Sequence, residues 1–312
     1  MHGLYGFFRE ISCRLPFVII SQILTSKDCT AMYELTHKFR DSRLYPIIRR
    51  ASRAIEKGIK RIININRFKS GSAAIQKYKN AYAGKRCFII GNGPSLTIKD
   101  LETLKTHGEI SIASNSIYNL FNATEWRPTI YTVHDFQEIK KTREKISAVK
   151  TELKLVAMSA NGRVYDIDGA ILLRLIDPEN GTIHFSDDIS KCVYDGSTVT
   201  YFSIQCAIYM GFRQIILLGV DHSFAREQTK DGRITVNNNV KNHFQDYQTD
   251  DFWGNGQKDE EAVVFPLDFA TDAFIMAKHY ADEHGVEILN ATRGGKLEVF
   301  RRVDFDTLFD AE

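Results

Sequence analysis

One stretch, Arg86–Leu96, constrains the fold more than any other part of the chain. It begins with a short apolar run that stops at glycine, Cys87–Ile90, which is typical of a buried strand in a parallel sheet. Gly91 and Gly93 then allow a sharp turn and let a ligand approach the main chain closely. Pro94 suits the first turn of a helix, because its missing N–H has no helical partner there. The stretch therefore predicts a strand, a glycine turn and a helix.

The helix is predicted over residues 95–105, where leucines recur at helical spacing. A strand, a turn and a helix N-terminus in this order form an anion site, because free N–H groups and the helix dipole point at the turn. The turn lacks the third glycine of the dinucleotide-binding fingerprint. A tight turn that binds nothing is the alternative for this stretch taken alone.

Strand and helix patterns alternate along the rest of the chain, which indicates an α/β fold. Strands are predicted at 109–114, 129–133, 154–158, 214–218 and 286–290, and helices at 136–150, 197–210 and 268–284. Such alternation predicts a Rossmann-like, doubly wound parallel sheet, which binds ligands beyond the carboxyl ends of its strands. The residues expected at that edge are the Gly91–Ser95 turn, Asn115, Asp135, Asn161 and Asp221.

Residues 225–266 interrupt this alternation with a long polar stretch. A connection of this length inside a compact domain is usually a functional lid or disordered. Aromatic residues among the polar ones, such as Phe252 and Trp253, favour a lid that orders over a ligand. The lid contains His243 and Tyr247.

The N-terminal region differs from the rest in charge. Residues 38–86 contain 15 Lys and Arg and two acids, a net charge of +13 in a chain of overall charge +2. Apolar residues in 44–65 recur every three or four positions, so a basic amphipathic helix is predicted. Such a helix favours an anionic membrane surface, with packing on the domain or in an oligomer as the alternative. No nucleic-acid-binding module accompanies the charge, so nucleic acid is not an expected partner.

We therefore predict an N-terminal helical appendage over residues 1–80 and a nucleotide-binding catalytic domain over residues 81–312. Five cysteines lie far apart with no C-x-x-C pair, which favours a reducing compartment. The longest apolar run near the N-terminus, Leu15–Ile20, is too short to cross a bilayer. We expect a cytoplasmic protein, peripheral on the inner face of the membrane. The oligomeric state is open, with a homo-oligomer among the partners considered.

Four motifs occur in a fixed order along the chain: Gly91–Leu96, Ser114–Ser116, Asp195–Val199 and Gly219–Phe224. In this order they resemble the MptE-like family, named after the archaeal 6-hydroxymethylpterin pyrophosphokinase and widespread in bacterial surface-polysaccharide and flagellin-glycosylation loci. More loosely, they are similar to bacterial sialyltransferases that use CMP-activated sialic acid. The likeness covers roughly residues 82–300. It implies a glycosyltransferase that moves a CMP-linked 2-keto sugar, such as a sialic acid, another nonulosonic acid or Kdo, to a glycan or lipid-linked acceptor.

The resemblance also implies roles for single residues. In the sialyltransferases a lid histidine is the general base and tyrosine hydroxyls stabilise the leaving phosphate, which points to His243 and Tyr247. The order departs from the family, because the family's tyrosine precedes its histidine. His222, at a strand end, is the rival base, and His134 is expected to be structural. The implied nucleotide contacts are Gly91, Asn92, Gly93, Pro94, Ser95, Asn115, Asp135, Gly196, Ser197, Thr198 and Asp221.

Glycosyl transfer from a CMP-sugar fits this set of residues. The enzyme must stabilise a departing phosphate and take a proton from an acceptor hydroxyl, and a histidine with a near-neutral pKa suits the second task. Hydroxyls and helix N–H groups can neutralise the phosphate, so no metal or cofactor beyond the donor is expected.

Two other functions remain open from the sequence. A pyrophosphokinase that transfers diphosphate from ATP to a pterin-like alcohol would need Mg²⁺, which Asp135 and Asp221, predicted at neighbouring strand ends, could hold. A nucleotide-binding regulatory or scaffold protein without catalytic activity is the third function.

Overall fold

The computed structural model describes residues 62–160, 162–223, 226–228, 234–236 and 267–309. A nine-stranded sheet lies at the centre, and every neighbouring pair in it is parallel. The order of its strands is β11-β10-β7-β1-β2-β3-β4-β5-β6. These strands are β1 (Arg86–Ile90), β2 (Ser111–Ser114), β3 (Ile130–Val133), β4 (Leu153–Ser159), β5 (Ala170–Ile176), β6 (Val193–Tyr194), β7 (Gln214–Leu218), β10 (Glu287–Asn290) and β11 (Arg301–Arg302).

Helices cover both faces of the sheet. They are α1 (62–76), α2 (Ile98–Thr106), α3 (Phe136–Ala148), α4 (Val199–Tyr209) and α5 (Leu267–Glu283), with 3-10 helices at Asn115–Leu120 and Asp306–Phe309. Alternate residues of β1 enter different cores: Cys87 and Ile89 pack with α4 and α5, whereas Phe88 and Ile90 pack with α2 and α3. Because both faces are covered, the central strands are apolar throughout, and the predicted Rossmann-like α/β fold is confirmed.

The central sheet contains three strands that the sequence analysis omitted. β5 carries an exposed residue, Arg174, in its second half and reads as an irregular apolar segment, while β6 and β11 are two residues long. None of these three gives a periodic signal. The helix after the glycine turn, α2, also begins later than expected, at Ile98 and not at residue 95.

Residues 67–80 pack in the same compact unit as the central sheet. The chain divides into two compact units, residues 1–66 and 67–312. Within the second unit, Gly71 of α1 lies so close to β5 that an added Cβ would be 1.9 Å from the carbonyl oxygen of Leu172. Ile75 is fully buried in the core beside α4. Residues 67–80 therefore lie in the same compact unit as the sheet, and the domain boundary at residue 80 stays a prediction.

About half of the basic region, residues 38–61, and most of the predicted lid lie outside the described residues. Within 225–266 the structure describes only two antiparallel strands, β8 (Arg226–Gln228) and β9 (Ile234–Val236). His243, Tyr247 and Asn161 are outside the described residues. None of the helices in the described part of the chain is long and apolar enough to cross a membrane.

The start of α2 depends on a partly buried ion pair. Thr97 caps the helix and forms a reciprocal capping box with Asp100, which is 2% exposed. One terminal nitrogen of Arg293, in the loop after β10, donates to both oxygens of the Asp100 carboxylate at 2.7 and 2.8 Å. This pair connects the start of α2 to the loop after β10, near the end of the chain.

We expect Arg293→Ala to lower the free energy of unfolding by about 2–3 kcal/mol, because it leaves a buried carboxylate without its cation. The loss is below that of a fully buried pair, since the Arg293 side chain is 39% exposed. Urea unfolding followed by circular dichroism measures it. Arg301→Ala is the control, because its pair with Glu287 is exposed and is worth less than about 1 kcal/mol. Equal losses in the two variants would contradict this account.

Candidate functional site

The strand order locates a binding edge between β1 and β7. Successive strands run outward from β1 to β6 on one side, and the chain then returns to β7 on the other side. In open α/β sheets such a reversal leaves a crevice at the carboxyl ends of the two strands. The Gly91–Ser95 turn follows β1 and the Gly219–His222 segment follows β7, so both lie at this reversal.

The two segments are joined by Asp221. Its Oδ2 accepts hydrogen bonds from the hydroxyl of Ser95 at 2.7 Å and from the Ser95 N–H at 3.4 Å. A Cβ added to Gly93 would lie 1.9 Å from this Oδ2 and 2.6 Å from the carbonyl oxygen of Gly219. Gly93 is therefore required by the chain's own carboxylate and β7 backbone. Asp221 is 8% exposed, and this burial raises the pKa of its carboxyl group, while the bonds from Ser95 oppose the rise.

The predicted anion site in this turn had the wrong physical basis. The N–H of Gly91 donates to Leu218 and that of Gly93 donates to Gly219 at 2.9 Å, so these groups serve the β1–β7 junction. The N-terminus of α2 is three residues further on and is capped by Thr97. Pro94 consequently lies in the turn, not in the first turn of a helix. Nucleotide contacts by Gly91–Ser95 stay a prediction. They no longer have the support of free N–H groups or of a helix dipole at the turn.

A second set of contacts continues along the edge to β2 and β3. The amide nitrogen Nδ2 of Asn92 donates to the carbonyl of Ser114, the last residue of β2. Asn115 follows in the left-handed region, with φ of 49°, and its carbonyl accepts a 2.6 Å bond from the Tyr131 hydroxyl of β3. Its side-chain Oδ1 is buried and has no hydrogen-bond partner in the described part of the chain. The strand ends of β7, β1, β2 and β3 thus form one connected edge.

The motif before α4 reaches the same edge. Asp195 Oδ1 accepts from the N–H of Ser197, which has φ of 57°, and Thr198 caps α4 by accepting from the N–H of Thr200. His134, after β3, has its Nε2 3.8 Å from Asp195 Oδ1. The start of α4 therefore lies beside the end of β3.

Gly196 has a packing reason of its own. A Cβ at this position would lie 2.5 Å from the ring of Tyr201 and 2.7 Å from the Cβ of Ala273 on α5. A glycine here allows α4 and α5 to approach each other.

Asp135 does not take the position that a shared magnesium site requires. Its Oδ1 accepts from the N–H groups of Gln137 and Glu138, which makes it the N-cap of α3. Two strands, β1 and β2, separate β3 from β7, so Asp135 and Asp221 follow strands that are about 14 Å apart. The expectation that these two residues follow neighbouring strands is wrong, and a Mg²⁺ ion held by both stays a prediction.

His222 is engaged with α5. It has φ of 50°, its Nε2 lies 2.8 Å from the hydroxyl of Thr271, and its ring meets Phe274 edge to face. These contacts connect the end of β7 to α5. His222 therefore has a packing role at the predicted position, and its role as a base stays a prediction.

Comparison with known proteins identifies the family. A profile of the 6-hydroxymethylpterin diphosphokinase MptE-like family matches residues 60–227, more than half of the chain. The chain belongs to the MptE-like family. A search of curated proteins gave no match. Among solved structures, the MAf glycosyltransferase from Magnetospirillum magneticum AMB-1 is similar at 18% identity with a TM-score of 0.44, covering 78% of this chain. The match covers 38% of the MAf chain.

One buried residue at this edge of the sheet was missed by the sequence analysis. Glu138, in the first turn of α3, is 1% exposed. Its Oε1 accepts bonds from the hydroxyls of Ser116 and Tyr118 beside Asn115. The only sequence signal is an acid three residues after the capping Asp135, which is ordinary for a helix start. Its burial depends on the 3-10 helix after β2, which was not predicted.

Proposed function

We propose that this MptE-like chain is a glycosyltransferase that binds a CMP-activated 2-keto sugar along the carboxyl edge of β7, β1, β2 and β3. Family membership supports a nucleotide-dependent transferase, and the connected edge supports the position of its site. The observation that carries the proposal is the buried Asn115 Oδ1, which has no hydrogen-bond partner among the described residues. Such an atom is costly unless a ligand pairs with it, and a nucleotide has the hydroxyl and amino donors to do so.

The proposed chemistry needs neutral donors at the phosphate. The start of α4 offers the hydroxyls of Ser197 and Thr198, which follow Asp195 beside His134. During transfer the bond between the sugar carbon and the phosphate oxygen breaks, and its electron pair stays on CMP. The acceptor hydroxyl oxygen bonds to the sugar carbon, and its proton goes to a histidine, for which His243 is the proposed residue and His222 the rival.

The acceptor in this proposal is a surface glycan or its lipid-linked precursor. Attachment of residues 38–86 to the cytoplasmic face of a membrane would bring the enzyme to such acceptors, because the net charge of +13 favours anionic lipid. This attachment is part of the proposal.

A panel of nucleotides tests the proposal. We expect CMP without metal to raise the melting temperature of the full chain by about 5–10 °C at a concentration a hundredfold above its Kd. UMP, GMP and ATP are compared with and without Mg²⁺. A shift only with ATP and Mg²⁺ would favour the diphosphokinase activity that the family name describes, and no shift with any nucleotide would favour a non-catalytic protein.

A matched pair of variants locates the site. Asn115→Gly keeps a residue that tolerates the left-handed backbone and removes the amide, so CMP should bind at least tenfold more weakly. Asn80→Gly is the control, because Asn80 also has a positive φ, 58°, but precedes β1 at the opposite edge of the sheet. Equal CMP affinity in both variants would exclude Asn115 from the site.

A further inference from the structure

We infer that Glu138 is a positioning residue, which holds the turn after β2 so that Asn115 presents its amide to the nucleotide. The inference rests on the proposed function for the ligand, and its subject is a residue that neither the family match nor the sequence motifs assign. Its basis is a set of three hydroxyl bonds to one buried carboxylate oxygen.

The three bonds have different geometrical meanings. Oε1 of Glu138 accepts from the hydroxyls of Ser116 at 3.0 Å, Tyr118 at 2.8 Å and Thr142 at 3.2 Å. Ser116 and Tyr118 belong to the 3-10 helix that begins at Asn115, so their bonds connect α3 to the turn. Thr142 is one turn further along α3, so its bond to Glu138 stays within that helix, and its hydroxyl also lies beside that of Tyr118.

The carboxylate is costly where it stands. Glu138 is 1% exposed, its burial raises the pKa of the carboxyl group, and its Oε2 has no hydrogen-bond partner in the described part of the chain. An apolar side chain could fill the same space without this desolvation penalty. The benefit that offsets this penalty is therefore the pair of hydrogen bonds that Glu138 accepts from Ser116 and Tyr118.

These bonds act on the backbone of Asn115 from one side. On the other side, the Tyr131 hydroxyl donates to the Asn115 carbonyl at 2.6 Å. Asparagine tolerates the left-handed region better than most residues but still favours other conformations, so contacts from its neighbours help to keep it there. The bonds of Glu138 and Tyr131 provide these contacts and hold the turn that carries the Asn115 side chain at the binding edge.

Four variants of the full chain test the inference, with CMP as the probe. Glu138→Ala should weaken CMP binding about tenfold and Tyr118→Phe about threefold, measured by calorimetry well below the melting temperature. Glu138→Gln should bind within twofold of the wild type, because an amide oxygen still accepts from the hydroxyls. Thr142→Val is the comparison and should also stay within twofold, because its bond to this oxygen lies within α3 and Tyr118 keeps its own bond to Glu138 when Thr142 is changed.

Hydrogen exchange of the amides of residues 115–120 provides a readout that needs no ligand. Exchange should be faster in Glu138→Ala and Tyr118→Phe and unchanged in Glu138→Gln and Thr142→Val. Unaltered exchange in Glu138→Ala would overturn the hold itself, and unaltered CMP affinity in that variant would overturn its use in binding. If Glu138→Ala does not fold, Tyr118→Phe against Thr142→Val decides, and equal losses in the two overturn the inference. A wild-type chain that binds no nucleotide overturns the proposed function and this use of Glu138 together, which the wild-type measurement alone reveals.

Discussion

Replacing Gly93 with alanine is expected to cost more than about 4 kcal/mol of unfolding free energy, a loss that few single substitutions cause. The new Cβ would lie 1.9 Å from Asp221 Oδ2 and 2.6 Å from the carbonyl oxygen of Gly219. Neither atom can retreat easily, because Asp221 is held by Ser95 and Gly219 lies in the backbone after β7. Urea unfolding followed by circular dichroism measures the loss, which affects the whole chain and not nucleotide binding alone.

Two comparisons separate this clash from a general effect of adding a methyl group. Gly162→Ala should be nearly neutral, because the nearest atom to its Cβ is the Ser159 carbonyl oxygen at 3.7 Å. Combining Gly93→Ala with Asp221→Ala should recover part of the lost unfolding free energy, because the clash with the carboxylate is removed. The recovery should be incomplete, because the clash with the Gly219 carbonyl oxygen remains. A melting temperature of Gly93→Ala within 2 °C of the wild type would show that the turn does not hold Asp221 as described.

The example of Gly93 shows what a motif in a sequence can and cannot predict. The pattern of a strand followed by glycines correctly placed the turn at the carboxyl end of β1. A short apolar run that stops at glycine, such as Cys87–Ile90, is typical of a strand buried on both faces of a parallel sheet. The prediction explained this glycine as space for a ligand and missed its contact with Asp221. The Asp221 carboxylate that fills the space is 128 residues away, and no local pattern reports such a contact.

The start of α2 was predictable in principle. Thr97 and Asp100 have the spacing of a capping box, which marks a helix N-terminus at Ile98. Giving more weight to Pro94 as a first-turn residue moved the predicted start to residue 95. The pairing of Asp100 with Arg293 had no sequence signal, because it joins residues that only the fold brings together.

The catalytic base can be assigned by two further substitutions. We expect His243→Ala to lower kcat by about 10²-fold or more while KM for the donor stays nearly constant, as for loss of a general base. The reaction followed is the release of CMP from the nucleotide sugar that the wild type uses. His243 lies outside the described residues, so this expectation rests on its place in the polar segment 225–266 and on Tyr247.

His222→Ala is the matched substitution, and the structure gives it a different expected result. The Nε2 of His222 lies 2.8 Å from the Thr271 hydroxyl, and the ring packs on Phe274, so its loss should loosen the junction of β7 with α5. The donor KM should rise and the melting temperature should fall, whereas kcat should change less. The reason is that His222 lies in the same segment as Asp221, which is a predicted nucleotide contact. The reverse pattern, with kcat lost at 222 and kept at 243, would make His222 the base. Near-normal kcat in both variants would move the role to a carboxylate such as Asp246 or Asp221, or indicate diphosphate transfer in place of glycosyl transfer.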